Sequence, residues 1–260
     1  MKFLKKNWGT TKPSVGYGVD WSDSISKGLV GCWLFNEGAG AFAFDIARKN
    51  KGTLTNGPTW TSGKFGKGLS FDGTNDYVRL VGLNIAAASD FTFCTWVYPT
   101  AWVGNNPGIW RDNTSSNGNS FNIFQSNTGR PWIRWNGADI LKPLSGYGVP
   151  LNQWTYVCYT VQSSANANFY ANGVLKHSAT HTTATPAFTI YNLGYQTTVG
   201  ERINGTYDDF RIYDRALSAG EVKRLYSEPF AGILSPVQRR INSVSAEVLA
   251  TLTRKLHIWW

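Results

Sequence analysis

Short runs of hydrophobic and aromatic residues recur along most of the chain, separated by segments rich in glycine, asparagine, proline and aspartate. β-Branched and aromatic residues dominate these runs, for example at positions 91–98 and 154–161, which is typical of strands. Asn172-Gly173 lies between two runs and predicts a hairpin, because a type I′ turn requires positive φ angles at both central residues. No long segment of helical periodicity occurs before residue 218. The pattern therefore predicts an all-β sandwich.

One short helix is predicted directly after the last strand-like run. Ser218 and Glu221 have the spacing of a capping box, in which their side chains accept hydrogen bonds from the first backbone N–H groups of the helix. Val222 and Leu225 give the helix an apolar side. Pro229 ends it, because proline cannot continue a helix.

The segment after residue 229 has a different character. Apolar residues recur at every third or fourth position between 237 and 256, as on one side of a helix, and the chain ends in Trp259-Trp260. Such a stripe is costly to leave in water, so we predict that it packs on the sandwich or on a partner. Tryptophan and arginine are frequent interface hot spots, which makes Arg239, Arg240, Trp259 and Trp260 the predicted partner-binding residues.

The net charge of +9 is concentrated at the two ends of the chain. The first 19 residues contain four lysines and no acidic residue, and residues 229–260 contain four basic residues and one glutamate. Basic ends on a nearly neutral core suit docking on an acidic surface, which we expect to be protein and not nucleic acid. No apolar run approaches the roughly 18 residues that span a bilayer, and the N-terminus lacks the apolar core of a signal peptide.

The cysteines support a reducing compartment. Cys32, Cys94 and Cys158 each lie inside an apolar strand-like run. An odd number of cysteines in strand interiors predicts buried free thiols and no disulfide framework.

Motifs at both ends of the predicted sandwich resemble one known family. The N-terminal motif reads GLVGCWLFNEG at 28–38 and is followed by GTLTNGPTW at 52–60 and GLSFDGTNDYV at 68–78. The C-terminal motif reads DDFRIYDRALS at 208–218. Together they resemble the laminin-G-like, concanavalin A-like jelly roll, in which the first and last strands pair. The resemblance implies a jelly-roll sandwich over residues 20–228, a basic arm over 1–19 and an attachment extension over 229–260.

A structural calcium ion is also implied by this resemblance, because laminin-G-like domains often hold one between the loop after the first strand and the last strand. The implied ligands are Asp45, Asn50 and Asp208, whose oxygens suit a hard cation. The family's Asp-x-Ser-Gly-Asn loop is altered here by two basic residues, which would stand beside the ion. The alternative is that Asp45 and Asp208 cap turns or pair with Arg48 and Arg211.

Catalysis is not predicted, although some sandwiches of this shape are glycanases. Glycoside hydrolysis needs two facing carboxylates about 5–10 Å apart, and sandwich glycanases supply them from a Glu-x-Asp-x-Glu strand. None of the five glutamates has an acidic neighbour two positions away. Trp102 lies in a Gly/Asn/Pro-rich segment and is the tryptophan that we expect to be exposed, so it is the candidate for stacking on a sugar.

Residues 20–40 and 228–240 most resemble laminin-G-like proteins encoded by tailed bacteriophages. The resemblance implies a non-enzymatic virion structural protein, such as a capsid decoration protein, a head fibre or a tail-associated protein. It would be made in the host cytoplasm and attached to capsid or tail subunits through its terminal segments, with a homo-oligomer as one form of assembly. The alternative function is that of a carbohydrate-binding, lectin-like module or adhesin that binds cell-surface glycans.

Overall fold

A computed structural model describes residues 11–103, 108–111, 120–125, 129–135, 138–142, 146–189, 192–194 and 202–234. These residues form a β-sandwich with one α-helix, α1 (Ala219–Ser227), and one 3₁₀ turn (Ser24–Ser26). The prediction of an all-β sandwich is confirmed. No helix in this part of the chain is long and apolar enough to cross a membrane. The strands are β1 (Leu29–Trp33), β2 (Phe42–Phe44), β3 (Lys51–Thr55), β4 (Thr59–Gly63), β5 (Gly66–Asp72), β6 (Tyr77–Leu80), β7 (Asn84–Ile85), β8 (Phe91–Val103), β9 (Gly108–Arg111), β10 (Ser120–Gln125), β11 (Arg130–Trp135), β12 (Ala138–Leu141), β13 (Thr155–Val161), β14 (Asn166–Ala171), β15 (Val174–Thr180), β16 (Phe188–Thr189), β17 (Asn192–Leu193) and β18 (Arg202–Tyr213).

Two eight-stranded antiparallel sheets form the layers of the sandwich. In sheet 1 the order is β15-β14-β13-β8-β18-β5-β4, and β1 pairs with β18. In sheet 2 the order is β12-β11-β10-β9-β17-β6-β3-β2, and β7 pairs with β16 in a separate two-stranded ribbon. The register places Leu29 opposite Tyr213 and Trp33 opposite Phe210, so the first strand pairs with the last strand as the resemblance implied.

The main core fills the space between the two sheets. Strands β6 and β11 show the alternation that this requires, since Val78, Leu80, Ile133 and Trp135 point inward and are fully buried. Aromatic side chains fill much of this core, because a large ring buries the most apolar area for each residue. Its largest members include Trp33, Phe35, Phe71, Phe91, Phe93, Tyr159, Tyr207 and Phe210.

A second hydrophobic cluster covers the opposite, outer face of sheet 1. It joins strand residues such as Cys158 and Trp96 to Val222 and Leu225 of α1. The terminal segments contribute Val19, Phe230 and Ile233 to the same cluster, with the remaining buried members Ile25, Leu29, Cys32, Leu34, Phe65, Cys94, Tyr156, Tyr170, Tyr213 and Leu217. The helix and both terminal segments therefore cover this side of the sandwich.

The two terminal segments also pair with each other. Val19 and Ile233 form an antiparallel bridge, Asp20 N donates to the carbonyl of Gly232 at 2.7 Å, and Leu234 N donates to that of Gly18 at 2.9 Å. The packed unit thus includes residues on both sides of the predicted boundaries at 20 and 228.

Local predictions from short motifs agree with the structure. Asn172 and Gly173 have φ angles of 52° and 74°, as a type I′ hairpin requires. Ser218 and Glu221 form both hydrogen bonds of the capping box. All three cysteines are buried free thiols.

Candidate functional site

The outer face of sheet 2 is the side of the sandwich that α1 and the terminal segments do not cover. Because side chains alternate across a strand, the neighbours of the inward core residues point outward here. In β6 the outward residues are Tyr77 and Arg79, and in β3 they are Lys51, Thr53 and Thr55. Side chains on the described strands at both ends of the sheet form two distinct groups.

Two phenylalanines are exposed at the β2 end of this face. Ala43 points into the core, so Phe42 and Phe44 both point outward and are 37% and 48% exposed. Their ring centroids are 6.4 Å apart, and the Lys51 ammonium lies 4.2 Å from the centroid of Phe42. The carboxylate of Glu37 holds this strand by accepting a hydrogen bond of 2.7 Å from Phe44 N. We call Phe42, Phe44 and Lys51 the aromatic edge.

A row of polar side chains continues from the aromatic edge across the sheet. The register aligns Phe42 with Thr53, Thr53 with Arg79, and Arg79 with Asn192. Adjacent strands are about 4.8 Å apart, so Arg79 lies roughly 10 Å from β2. Its side chain is exposed, and the described residues provide no ion-pair partner for it. This row offers hydrogen-bond donors and a cation beside an apolar surface.

At the β11–β12 end of the face, the side chains bind one another and cover a tryptophan ring. The indole of Trp132 donates to Asp139 at 2.9 Å, and Lys142 binds the same carboxylate at 3.1 Å. Lys142 and Arg134 also lie over the Trp132 ring, 5.4 and 5.7 Å from its centroid. Trp132 is only 6% exposed, so this ring is covered, whereas the rings of the aromatic edge are open. Six strand spacings, about 25–30 Å, separate the two ends.

Electrostatically, the described part of the face is positive. Lys51 and Arg79 stand on one half, and Arg134 and Lys142 on the other. Among the outward side chains described on these strands, the acidic one is that of Asp139. Its carboxylate is already bonded to Trp132 and Lys142. The face can therefore attract a ligand that carries negative charge.

The carboxylate of Asp45, a predicted calcium ligand, accepts hydrogen bonds mainly from nearby backbone N–H groups. Its carboxylate accepts hydrogen bonds from Cys32 N and Ala47 N, both at 2.8 Å, and from Arg48 N and Asn50 Nδ2, both at 3.1 Å. Burial raises the pKa of Asp45, although these four donors oppose the shift. These hydrogen bonds match the alternative in which Asp45 caps a turn, and Arg48 takes part through its backbone N–H.

Asp208 is held by different groups. Its carboxylate accepts from Phe65 N at 2.9 Å and forms a buried ion pair with Lys12. Burial raises the pKa of Asp208 to about 7, although Lys12 opposes the shift. Arg211 pairs with Asp209, and not with Asp208 as the alternative proposed.

These contacts do not fit a calcium ion shared by Asp45, Asn50 and Asp208, because N–H donors and an ammonium already occupy the carboxylates. Among the described residues no group of three His, Cys, Asp or Glu side chains could hold a metal ion. Calcium binding stays a prediction, and the experiment on Lys12 below tests it.

Trp102, the predicted sugar-stacking residue, lies within β8 and not in an exposed loop. It is half-buried and packs against the main core. β8 extends to Val103 and so includes the first residues of the Gly/Asn/Pro-rich segment, where Trp102 pairs with Ile203 of β18. The predicted partner-binding residues Arg239, Arg240, Trp259 and Trp260 lie outside the described residues.

The aromatic edge was missed by the sequence analysis. The signal was the alternation Phe42-Ala43-Phe44, since a small residue between two aromatics places both rings on one side of a strand. Three residues are too short a run to distinguish a strand from a loop by periodicity alone.

Comparison with known proteins places the chain in a family. A laminin G family model, described as the concanavalin A-like lectin/glucanases superfamily, matches residues 72–223, more than half of the chain. The chain belongs to this superfamily. No curated protein sequence matches it.

Solved structures share the fold at low identity. Domain 4 of AbnA, a GH43 extracellular arabinanase from Geobacillus stearothermophilus in complex with arabinotriose, is 22% identical with a TM-score of 0.63, over 76% of this chain and 98% of that domain. The binding domain of Paraclostridial Mosquitocidal Protein 1 is 18% identical with a TM-score of 0.62, over 80% and 53%. The botulinum neurotoxin serotype G binding domain is 16% identical with a TM-score of 0.58, over 78% and 51%. The superfamily member described here thus spans about half the length of the two toxin domains.

Proposed function

We propose that this protein is a non-enzymatic carbohydrate-binding module, and that it binds glycans on the outer face of sheet 2. The observation that carries the proposal is the aromatic edge: Phe42 and Phe44 are exposed side by side on strand β2, next to the Lys51 ammonium. Rings of this kind stack on the C–H faces of sugars, while neighbouring polar groups bond to the hydroxyls.

Coverage of the sandwich supports the choice of face. The outer face of sheet 1 lies beneath α1 and the terminal segments, and the inner faces form the main core. The outer face of sheet 2 keeps its aromatic and cationic side chains accessible at β2, β3 and β6. Solved structures of the same fold include one bound to arabinotriose and two domains named as binding domains, which is consistent with a binding role.

Charge suggests the class of glycan. The aromatic edge contains Lys51, and Arg79 lies near it on β6. A guanidinium recognises carboxylate or sulfate groups through paired hydrogen bonds. We therefore propose acidic glycans, those with uronate, sialate or sulfate groups, as the preferred ligands.

The non-enzymatic part of the proposal rests on what the described glutamates do. Glu37 binds the β2 backbone, Glu221 caps α1 and pairs with Arg215, and Glu228 pairs with Arg224. Each therefore serves a structural contact, and none faces a second carboxylate in those contacts.

The test is a glycan array on the full-length protein, followed by titration of the best ligands with wild type, Phe42→Ala and Phe44→Ala. We expect each substitution to weaken binding about tenfold or more, corresponding to about 1.4 kcal/mol. Val174→Ala and Leu175→Ala are matched controls, because both residues are exposed apolar side chains on β15 of sheet 1. Arg79→Gln should reduce binding of acidic glycans more than that of neutral ones. If all five variants bound glycans with equal affinity, the binding site would have to lie elsewhere than at the aromatic edge.

A virion role, with capsid or tail subunits as partners, is the second candidate. The described parts of the terminal segments favour it, because Gly18 and Leu234 are paired on the sheet 1 side of the sandwich. An attachment through both terminal segments would thus anchor one side of the domain and leave the outer face of sheet 2 open to a glycan. Deleting residues 237–260 should abolish incorporation into particles, whereas normal occupancy of the deleted protein would contradict an anchor in this segment.

A further inference from the structure

The Lys12 ammonium is enclosed in a cage of oxygen atoms. It donates to the carbonyl of Phe35 at 3.4 Å and more closely to the carbonyl of Lys67 and to Oδ1 of Asp208. The side chains of Lys12 and Asp208 are 5% and 0% exposed. A lysine side chain is almost never this buried without a specific partner. The three oxygens match the three N–H donors of an ammonium.

The backbone around the cage allows the groups that form it to approach one another closely. A Cβ atom at Gly63 would lie 2.6 Å from both Oδ2 of Asp208 and the carbonyl oxygen of Lys67, so only glycine fits there. Phe35 has a φ of 50°, a left-handed conformation that is costly for a phenylalanine and persists only where its surroundings enforce it. Asn36 Nδ2 donates to the carbonyl of Pro13 at 2.6 Å and so fixes the chain next to Lys12.

A second acidic side chain, that of Glu37, lies near the cage, and its hydrogen-bonding capacity is only partly used. Glu37 Oε1 binds Phe44 N, but Oε2 is buried and has no hydrogen-bond partner among the described residues. Burial raises the pKa of Glu37, and the charge of Lys12 acts against this shift. The charge of Lys12 therefore acts on two acidic groups, Asp208 inside the cage and Glu37 near it.

We propose that this cage is a cation-binding site in which the ammonium of Lys12 takes the place of a metal ion, and that removing this ammonium creates a site for Ca²⁺. Asp208, the carbonyls of Phe35 and Lys67, and water are the oxygen ligands that Ca²⁺ prefers. Because the ammonium is covalently attached, wild-type protein needs no free ion to neutralise Asp208. The N-terminal segment thereby supplies a tethered cation that locks β18 to the β4–β5 hairpin.

The experiment compares full-length wild type and Lys12→Ala by thermal unfolding, in excess EDTA and in excess calcium chloride. We expect the melting temperature of wild type to be the same in both. Lys12→Ala should melt well below wild type in EDTA and recover part of the difference in calcium chloride, because a ligand that binds only the folded state stabilises it. Direct calcium titration calorimetry should detect one site in the variant.

Two controls define the site. Lys223→Ala removes an exposed lysine of α1 and should change neither melting temperature nor calcium response. Lys12→Ala combined with Asp208→Asn should lose the calcium response.

Three results would overturn the proposal: stabilisation of wild type by calcium, a Lys12→Ala variant as stable as wild type in EDTA, or no response of that variant to calcium. If Lys12→Ala is unfolded in EDTA, circular dichroism during refolding replaces the melting curve. Folding restored by calcium then supports the proposal, and failure to fold in either condition refutes it.

Discussion

Arg211 is the side chain whose removal should destabilise this protein most clearly. It is 2% exposed and forms a bidentate ion pair with Asp209, with Nε–Oδ1 and Nη2–Oδ2 distances of 2.9 and 3.2 Å. The same guanidinium donates to the carbonyl of Ala231 at 3.0 Å and to that of Pro229. One residue therefore neutralises a buried carboxylate and fixes the C-terminal segment to sheet 1. The perturbation that tests this is Arg211→Met, which keeps most of the apolar stem.

The expected loss follows from what Arg211→Met leaves behind. Breaking a buried ion pair by removing one partner costs about 3–5 kcal/mol, because the remaining charge stays buried without compensation. Domains unfold with a total of about 5–15 kcal/mol, so a loss of about 3–5 kcal/mol is at least about a fifth of the total. At about 2–4 °C for each kcal/mol in a domain of this size, the melting temperature should fall by roughly 6–20 °C.

Urea unfolding at neutral pH, followed by tryptophan fluorescence, measures the loss. Arg211→Met combined with Asp209→Asn should lose less than Arg211→Met alone, since no charge is left unpaired. Asparagine also tolerates the φ of 50° that residue 209 adopts. Arg79→Met is the control for an exposed arginine and should change the unfolding free energy by less than about 0.5 kcal/mol.

The reasoning would be refuted if Arg211→Met cost less than about 1 kcal/mol, the value of an exposed pair. It would also be refuted if the double variant were no more stable than Arg211→Met, because the destabilisation would then arise from lost packing and not from the buried charge of Asp209.

Two further predictions concern the helix and the ends of the domain. Arg215 lowers the pKa of Glu221 to about 2, so this ion pair should stabilise the protein above about pH 4.5 and lose its effect as the pH falls through about 2. The unfolding free energies of wild type and Glu221→Gln in urea should therefore differ at pH 7 and converge toward acid pH. A difference that stays constant with pH would argue against a contribution from the pair. A chain of residues 20–228 should melt below a chain of residues 11–234, because Val19, Phe230 and Ile233 are lost from the cluster on sheet 1. Equal melting temperatures of these two chains would support the narrower boundaries.

Features set by neighbouring residues could be predicted from the sequence. The capping box of Ser218 and Glu221 and the turn at Asn172-Gly173 depend on contacts within four residues, and both are present. The hydrophobic runs identified central strands such as β8 and β13, and the paired end motifs indicated a jelly roll closed by its first and last strands.

Features of the candidate sites depend on residues far apart in the chain. Lys12 and Asp208 are 196 positions apart, so no local pattern pairs a lysine of the basic arm with a carboxylate of the last strand. A register shift between Asp208 and Arg211, with Asp209 in a left-handed conformation, puts both carboxylates on the outer side of sheet 1. Strict alternation alone places Asp209 and Arg211 on one face of β18, whereas the register shift brings Asp208 to that face as well.

The sequence by itself determined the fold class and the local turns, because hydrophobic periodicity and turn chemistry are properties of short segments. Only the tertiary structure decided which face stays open and which is covered. Phe42 and Phe44 are exposed because β2 is the edge strand of sheet 2, while Trp102 is half-buried because β8 lies in the middle of sheet 1. Strand order arises from pairings between distant segments, and it decides whether a given aromatic residue becomes core or binding surface.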